Sequence, residues 1–137
     1  MRELLRTTQS LVTLDEETRV LRRMRTASPF TSPEQLEAEY DELVRVMDQV
    51  DRARYVQLID VRSAPPRNDP QFEATVARHH EALYRGFLVN AVLVHSAVGK
   101  LHVTRMLEGS GAKARVFSDE GEALAYLAEV VEGSRRP

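Results

Sequence analysis

Tyr55–Glu73 reads YVQLIDVRSAPPRNDPQFE, and the reading of this stretch decides the fold. Tyr55, Val56, Leu58, Ile59 and Val61 make its first part mostly apolar, as in a strand buried in the middle of a sheet. The following VRSAPPRN cannot be helical. Residues before proline are pushed towards extended geometry, and Pro65-Pro66 stiffens the path. Asp69 then stands as a helix N-cap, with Pro70 at the first helical position. Phe72, Val76, Leu83 and Phe87 follow at helical steps and predict a single apolar stripe. A buried strand, a braced polar loop and a capped helix together form one turn of an α/β layer.

Working outward, LLRTTQSLVTL and RVLRRMRTA flank the acidic DEET and predict an antiparallel hairpin over residues 4–27. Val20, Arg22 and Met24 share one face of its second strand; Leu21, Arg23 and Arg25 share the other. Neither face is cleanly apolar, so this strand is expected at a solvated edge, where charge discourages pairing with other chains. SPEQ, with Ser32 as cap and Gln35 three residues on, opens a helix striped by Leu36, Tyr40, Leu43, Val44, Met47 and Val50. Its opposite face, with Glu37, Glu39, Asp41 and Glu42, is expected in solvent. Downstream of the central stretch, LVNAVLV predicts a second buried strand. HSAVGKLHVTRMLEGSG predicts a helix with Val98, Leu101 and Met106 inward and Gly109-Ser110-Gly111 as its stop. AKARVF is a short strand. SDEGEALAYLAEVVEG is a last helix capped by Ser118 or Asp119, with Leu124, Leu127, Ala128 and Val131 inward.

The expected order is β-β-α-β-α-β-α-β-α, an α/β fold whose mixed sheet has parallel inner strands and an N-terminal antiparallel hairpin. One domain is expected over residues 1–133, with 134–137 a flexible tail. Right-handed crossovers place the loops after YVQLIDV, LVNAVLV and AKARVF at one end of the sheet.

Composition narrows the function classes. The 137 residues contain no cysteine, which excludes disulfides, thiolate metal sites and cysteine nucleophiles, and fits a cytoplasmic location. The formal charge of −2 implies no strongly basic face, so nucleic acid is not an expected partner. No stretch approaches the roughly 18 apolar residues of a membrane span, so no integral membrane segment is expected.

YVQLID running into a polar loop and capped helix, then VNAVLVHSAVGK, then ARVFSDEGEALAYL, resemble the STAS-like fold of anti-sigma-factor antagonists and sulphate-transporter relatives. The chain looks most like the stand-alone bacterial STAS-like proteins, and the resemblance runs from Leu4 to Val131. In the antagonists, the loop matching Val61–Asp69 carries a serine beside the helix start that a partner kinase phosphorylates. Here the helix starts at Asn68-Asp69-Pro70, and Ser63 lies before the prolines. The resemblance therefore implies a module lacking the phospho-switch, with Asp69 as a permanent negative charge. A second branch of similar folds binds lipids in an apolar groove.

Catalytic motifs are incomplete. SAVGKL lacks the early glycine of a phosphate loop, where Val94 stands, and the hydroxyl after its lysine, where Leu101 stands. His80-Glu81 opens an H-E-x-x-H frame, but position 84 is Tyr, and His79 and His80 point about 100° apart on a helix. Ser63, His95 and Asp60 could meet at neighbouring strand ends, but Ser63 lacks the glycine-flanked elbow of a nucleophile. No enzyme, metal or cofactor is expected. The expected function is a regulatory or scaffold module that binds a partner protein through the strand-end loops. Its site comprises Asp60, Arg62, Ser63, Arg67, Asn68, Asp69, His95, Ser96 and Lys100. Asp69 caps its helix and Asp60 pairs with Arg62, while Arg62 and Arg67 stay available to a partner and reversing their charge leaves stability nearly unchanged. The alternative is a domain binding a small ligand, a lipid or an anionic metabolite, in an apolar pocket of a few hundred Å³. A homodimer through the arginine-rich hairpin is a further expectation.

Overall fold

The computed structural model describes residues 1–66, 69–110 and 113–136. Six strands and four helices follow in the order β1 (Arg2–Arg6), β2 (Ser10–Asp15), β3 (Val20–Arg25), α1 (Pro33–Met47), β4 (Val56–Asp60), α2 (Pro70–Tyr84), β5 (Asn90–Leu93), α3 (Ala97–Ser110), β6 (Arg115–Phe117) and α4 (Glu120–Ser134). The sheet runs β1-β2-β3-β4-β5-β6 in space. β1, β2 and β3 pair antiparallel, and β3 to β6 pair parallel.

The α/β class and mixed sheet match the sequence reading, with one strand more. Where a single run was expected to Leu14, the chain turns at Thr7–Gln9. The Thr7 hydroxyl accepts from the amides of Gln9 (3.2 Å) and Ser10 (2.9 Å), and so does the work of a turn that carries neither glycine nor proline. β3 is not an edge, because β4 pairs parallel along it. It lies between β2 and β4, and Arg23 and Arg25 are buried, at 7% and 9% exposure. The true edges are β1 and β6.

Each new parallel strand is added on the same side of the previous one, so right-handed crossovers stack α1, α2 and α3 on one face. That face joins Val12, Leu14, Leu21, Ile59 and Val92 to Leu36, Leu43, Met47, Val76, Leu83 and Leu107. α4 has no strand after it and folds beneath the other face. There Ala123, Leu127 and Val131 cover Val56, Leu58, Ala91, Leu93 and Phe117.

Three helix faces differ from expectation. In α1, Glu39 is buried rather than solvated and accepts from the Thr7 hydroxyl at 2.8 Å, which ties the β1–β2 turn to the helix. In α4, Asp119 is the cap, and the inward stripe is Ala123, Leu127 and Val131, with Leu124 and Ala128 exposed. In α3, Val98 and Leu101 face outward, at 77% and 68% exposure. Met106 packs inward as expected, joined by Val103 and Leu107 in place of Val98 and Leu101, and the Ser96 hydroxyl fixes the helix start by accepting from the Gly99 amide at 3.0 Å. α4 continues through Ser134, a residue the sequence reading placed in the tail. Gly111 of the expected α3 stop, Ala112 at the start of AKARVF, and Pro137 lie outside the described residues.

Candidate functional site

A cavity of about 490 Å³ opens between the helical face of the sheet, α2, α3 and the loop after β4. Its walls are mostly apolar: Ile59 and Val61, Val92 and Val94, Phe72 and Val76, Val103 and Met106. Ala64, Pro65, Pro66, His95 and Val98 also line it. The cavity exists because β4 and β5 turn branched residues towards α2 and α3, while the chain after β4 turns at Val61–Ala64, the Ala64 amide donating to the Val61 carbonyl at 3.2 Å, and sets Pro65 and Pro66 at its wall.

Its polar wall comprises Arg23, Arg25, Tyr40, His80 and Tyr84. Arg25 is committed to the framework. Its Nε donates to the Gln9 carbonyl (2.9 Å), Nη2 donates to the Ser28 carbonyl (3.0 Å), and the guanidinium stacks on Phe30. Arg23 is different. Its Nε donates to Gln57 Oε1 at 3.3 Å and its guanidinium lies over the Tyr84 ring. No carboxylate among the described residues forms an ion pair with it.

Gln57, fully buried, is itself held by bonds from its Nε2 to the Leu83 carbonyl (3.0 Å) and Asn90 Oδ1 (2.7 Å). Asn90 in turn donates to the Tyr84 carbonyl at 3.0 Å. This chain of amides fixes the Arg23 side chain against the end of α2. Burial lowers the His80 imidazole to about 4, with Arg23 adding repulsion, so His80 is neutral at pH 7. Burial raises the hydroxyls of Tyr40 and Tyr84, and Arg23 opposes this only in part, so both stay protonated donors. A buried cation thus sits beside two phenol donors at the wall of an apolar cavity.

Behind the loop, on the α4 face, lies a second charged assembly. Arg22 Nη2 bonds Asp60 Oδ2 (2.7 Å) and Glu120 Oε1 (2.9 Å). Arg62 grips Asp60 with Nε on Oδ1 (3.0 Å) and Nη2 on Oδ2 (2.9 Å), and reaches Glu120 at 2.6 Å. Burial alone would raise the Asp60 carboxyl, but the bonds from Arg62 and Arg22 outweigh it and hold it at about 2. The bond from Arg22 likewise lowers Glu120. These four side chains lock β3, β4, the loop and the start of α4 together.

The residues read as a site from sequence therefore separate. Asp60 is 3% exposed and serves the lock. It pairs with Arg62 as read from sequence, but Arg62 also binds Glu120, so it is not a free partner contact; reversing its charge would set it against two carboxylates. Asp69 caps α2 by accepting from the Phe72 amide at 3.1 Å, and Ser96 caps α3. Ser63, His95 and Lys100 are exposed, and of the three His95 lines the cavity. Arg67 and Asn68 lie outside the described residues.

Arg23, Tyr40, His80 and Tyr84 were missed as a site. The available signal was Leu21-x-Arg23-x-Arg25, two arginines on the face that also carries a leucine.

Two other clusters carry less. Glu37, Asp41 and His79 bring three ligand atoms within 4.8 Å of one another. Arg78 already pairs with Glu37, and Asp41 is 63% exposed. A cleft of about 720 Å³ at the opposite end of the sheet is rimmed by the exposed cations Arg85, Lys113 and Arg115, with no buried charge aimed into it.

No helix among the described residues is long and apolar enough to cross a membrane. No family model, curated protein or solved structure matches the chain.

Proposed function

We propose that this chain is a non-catalytic, STAS-like binding module whose cavity takes a small anionic molecule with an apolar body, a medium-chain carboxylate being the simplest example. The observation that carries the reading is Arg23, a buried guanidinium at the wall of an apolar cavity without a carboxylate of its own among the described residues. Burying a charge costs several kcal/mol unless a counter-charge or hydrogen bonds compensate it. An anionic head group would supply that compensation, helped by the Tyr40 and Tyr84 hydroxyls, while its chain lies along Ile59, Val76, Val92 and Met106. The volume suits such a ligand, since small-molecule pockets commonly span roughly 300–1,000 Å³.

Calorimetric titration with sodium decanoate tests this. One saturable site is expected, with affinity falling on the order of tenfold for octanoate, two methylenes shorter. Arg23→Met should weaken decanoate by tenfold or more and leave decanol unchanged. No saturable binding of any chain length would refute the reading.

A second reading, a regulatory module docking a protein partner at the strand ends, is favoured by the exposed Ser63, His95 and Lys100 on the segments that follow β4 and β5. A pull-down with Lys100→Glu against the parent chain separates it, because Lys100 does not line the cavity.

A further inference from the structure

Glu37 and Asp41 stand one turn apart on α1, and His79 faces them from α2. The imidazole is fixed from two sides. Its Nδ1 lies 2.8 Å from the Thr75 carbonyl, and its ring meets Tyr40 edge-on, with centroids 5.4 Å apart. A carbonyl can only accept, so Nδ1 carries the hydrogen, and the neutral ring turns the lone pair of Nε2 towards α1. That lone pair meets oxygens: Asp41 Oδ1 at 3.2 Å and Glu37 Oε2 at 3.6 Å. Three electron-pair donors within 4.8 Å of one another need a cation between them. A proton on Nε2 would draw one carboxylate in to about 2.7–2.9 Å, the usual length of a charge-assisted bond. Neither oxygen is that close. A tetrahedral ion accounts for both spacings, since zinc bonds of about 2.0–2.2 Å place neighbouring ligand atoms about 3.3–3.6 Å apart. Arg78 pairs with the other Glu37 oxygen, Oε1, and so orients Oε2 towards His79. Asp41 is exposed and meets no side chain but His79 among the described residues, which leaves an entry path from solvent.

We propose that Glu37 Oε2, Asp41 Oδ1 and His79 Nε2 form a site for one zinc-class divalent ion that bridges α1 and α2, the solvent side leaving the fourth position to water. The imidazole nitrogen favours zinc, cobalt or nickel over magnesium and calcium, which take oxygen ligands. The ion removes the repulsion between two carboxylates one turn apart and ties α1 to α2. It does so beside Tyr40, whose other surroundings include the polar wall of the cavity. The site stands whether or not the cavity takes a ligand.

Calorimetric titration of the full chain with zinc chloride in a non-chelating buffer tests the site. One ion per chain is expected, and excess magnesium or calcium chloride should not compete. Asp41→Asn changes an exposed side chain, so its urea denaturation without metal should match the parent. It should nevertheless weaken zinc at least tenfold, and His79→Gln should weaken it further. Cobalt chloride should give the parent chain the intense visible absorption of a tetrahedral site, and Asp41→Asn should lose most of it. No saturable zinc binding by the parent overturns the inference. So does zinc affinity within twofold of the parent in Asp41→Asn, which would place the ion at other histidines, or binding of magnesium as tight as that of zinc.

Discussion

Arg23 and His80 face each other inside the domain, and their chemistry sets how the molecule responds to acid. His80 takes a proton near 6.5 when unfolded and only near 4 when folded. Between those values the unfolded chain binds more protons, so stability present above pH 6.5 is lost as the pH falls towards 4. The loss should be on the order of 3 kcal/mol, since each tenfold difference in proton affinity between the two states is worth about 1.4 kcal/mol. Urea denaturation at pH 7 and pH 4.5 measures it. His80→Leu should flatten this window, and an equally steep loss in the variant would assign the effect elsewhere. Asp60 acts lower. Held at about 2 against 3.8 in the open chain, it contributes stability above pH 4 that disappears as the pH approaches 2. Arg23 was visible in the sequence as an alternating arginine, but whether its face meets water or core is decided by β4 pairing alongside β3, a contact between residues more than thirty positions apart. That is why a charged strand read as a solvated edge.

Among the elements, the loop after β4 shows how one segment serves two faces. Its prolines line the cavity on the helical side, and Arg62 joins the four-residue lock on the α4 side. Asp60→Ala would leave the part-buried Arg22 and Arg62 sharing only Glu120. We expect a cost of roughly 3–5 kcal/mol in urea denaturation, as for a broken buried ion pair. Glu120→Gln removes a partner that is 39% exposed and should cost less than about 1 kcal/mol. Equal costs would contradict a lock centred on Asp60. The caps at Ser32 and Asp69 and the strand at Val56–Asp60 were legible because they are local chemistry. The faces of α3 and α4 were legible only in part: Met106, Leu127 and Val131 were read inward correctly, and Val98, Leu101, Leu124 and Ala128 were not. In ALAYLAEVV and AVGKLHVTRML apolar residues recur on more than one side, so periodicity cannot choose a face until the cap fixes the helix start. Val98 and Leu101 were read inward for that reason, and both are exposed.

At the scale of the whole molecule, the sheet grows by one strand at a time in sequence order, and three helices stack on one face. This arrangement leaves α4 alone on the other face and places every parallel strand end at one rim. The alternation of strands and helices was legible from composition and spacing. The cavity was not, because it is the gap left when α2 and α3 rest on branched residues of β4 and β5. Everything proposed for the cavity depends on Arg23 meeting an anionic ligand there. Nitrogen-15 NMR of arginine Nε–H groups during titration with decanoate probes that contact, with the Arg23 resonance assigned by its absence in Arg23→Met. A ligand seated on Arg23 should move this resonance and saturate at one molecule per chain. A titration in which surface arginines move while Arg23 Nε–H stays fixed would rule that contact out.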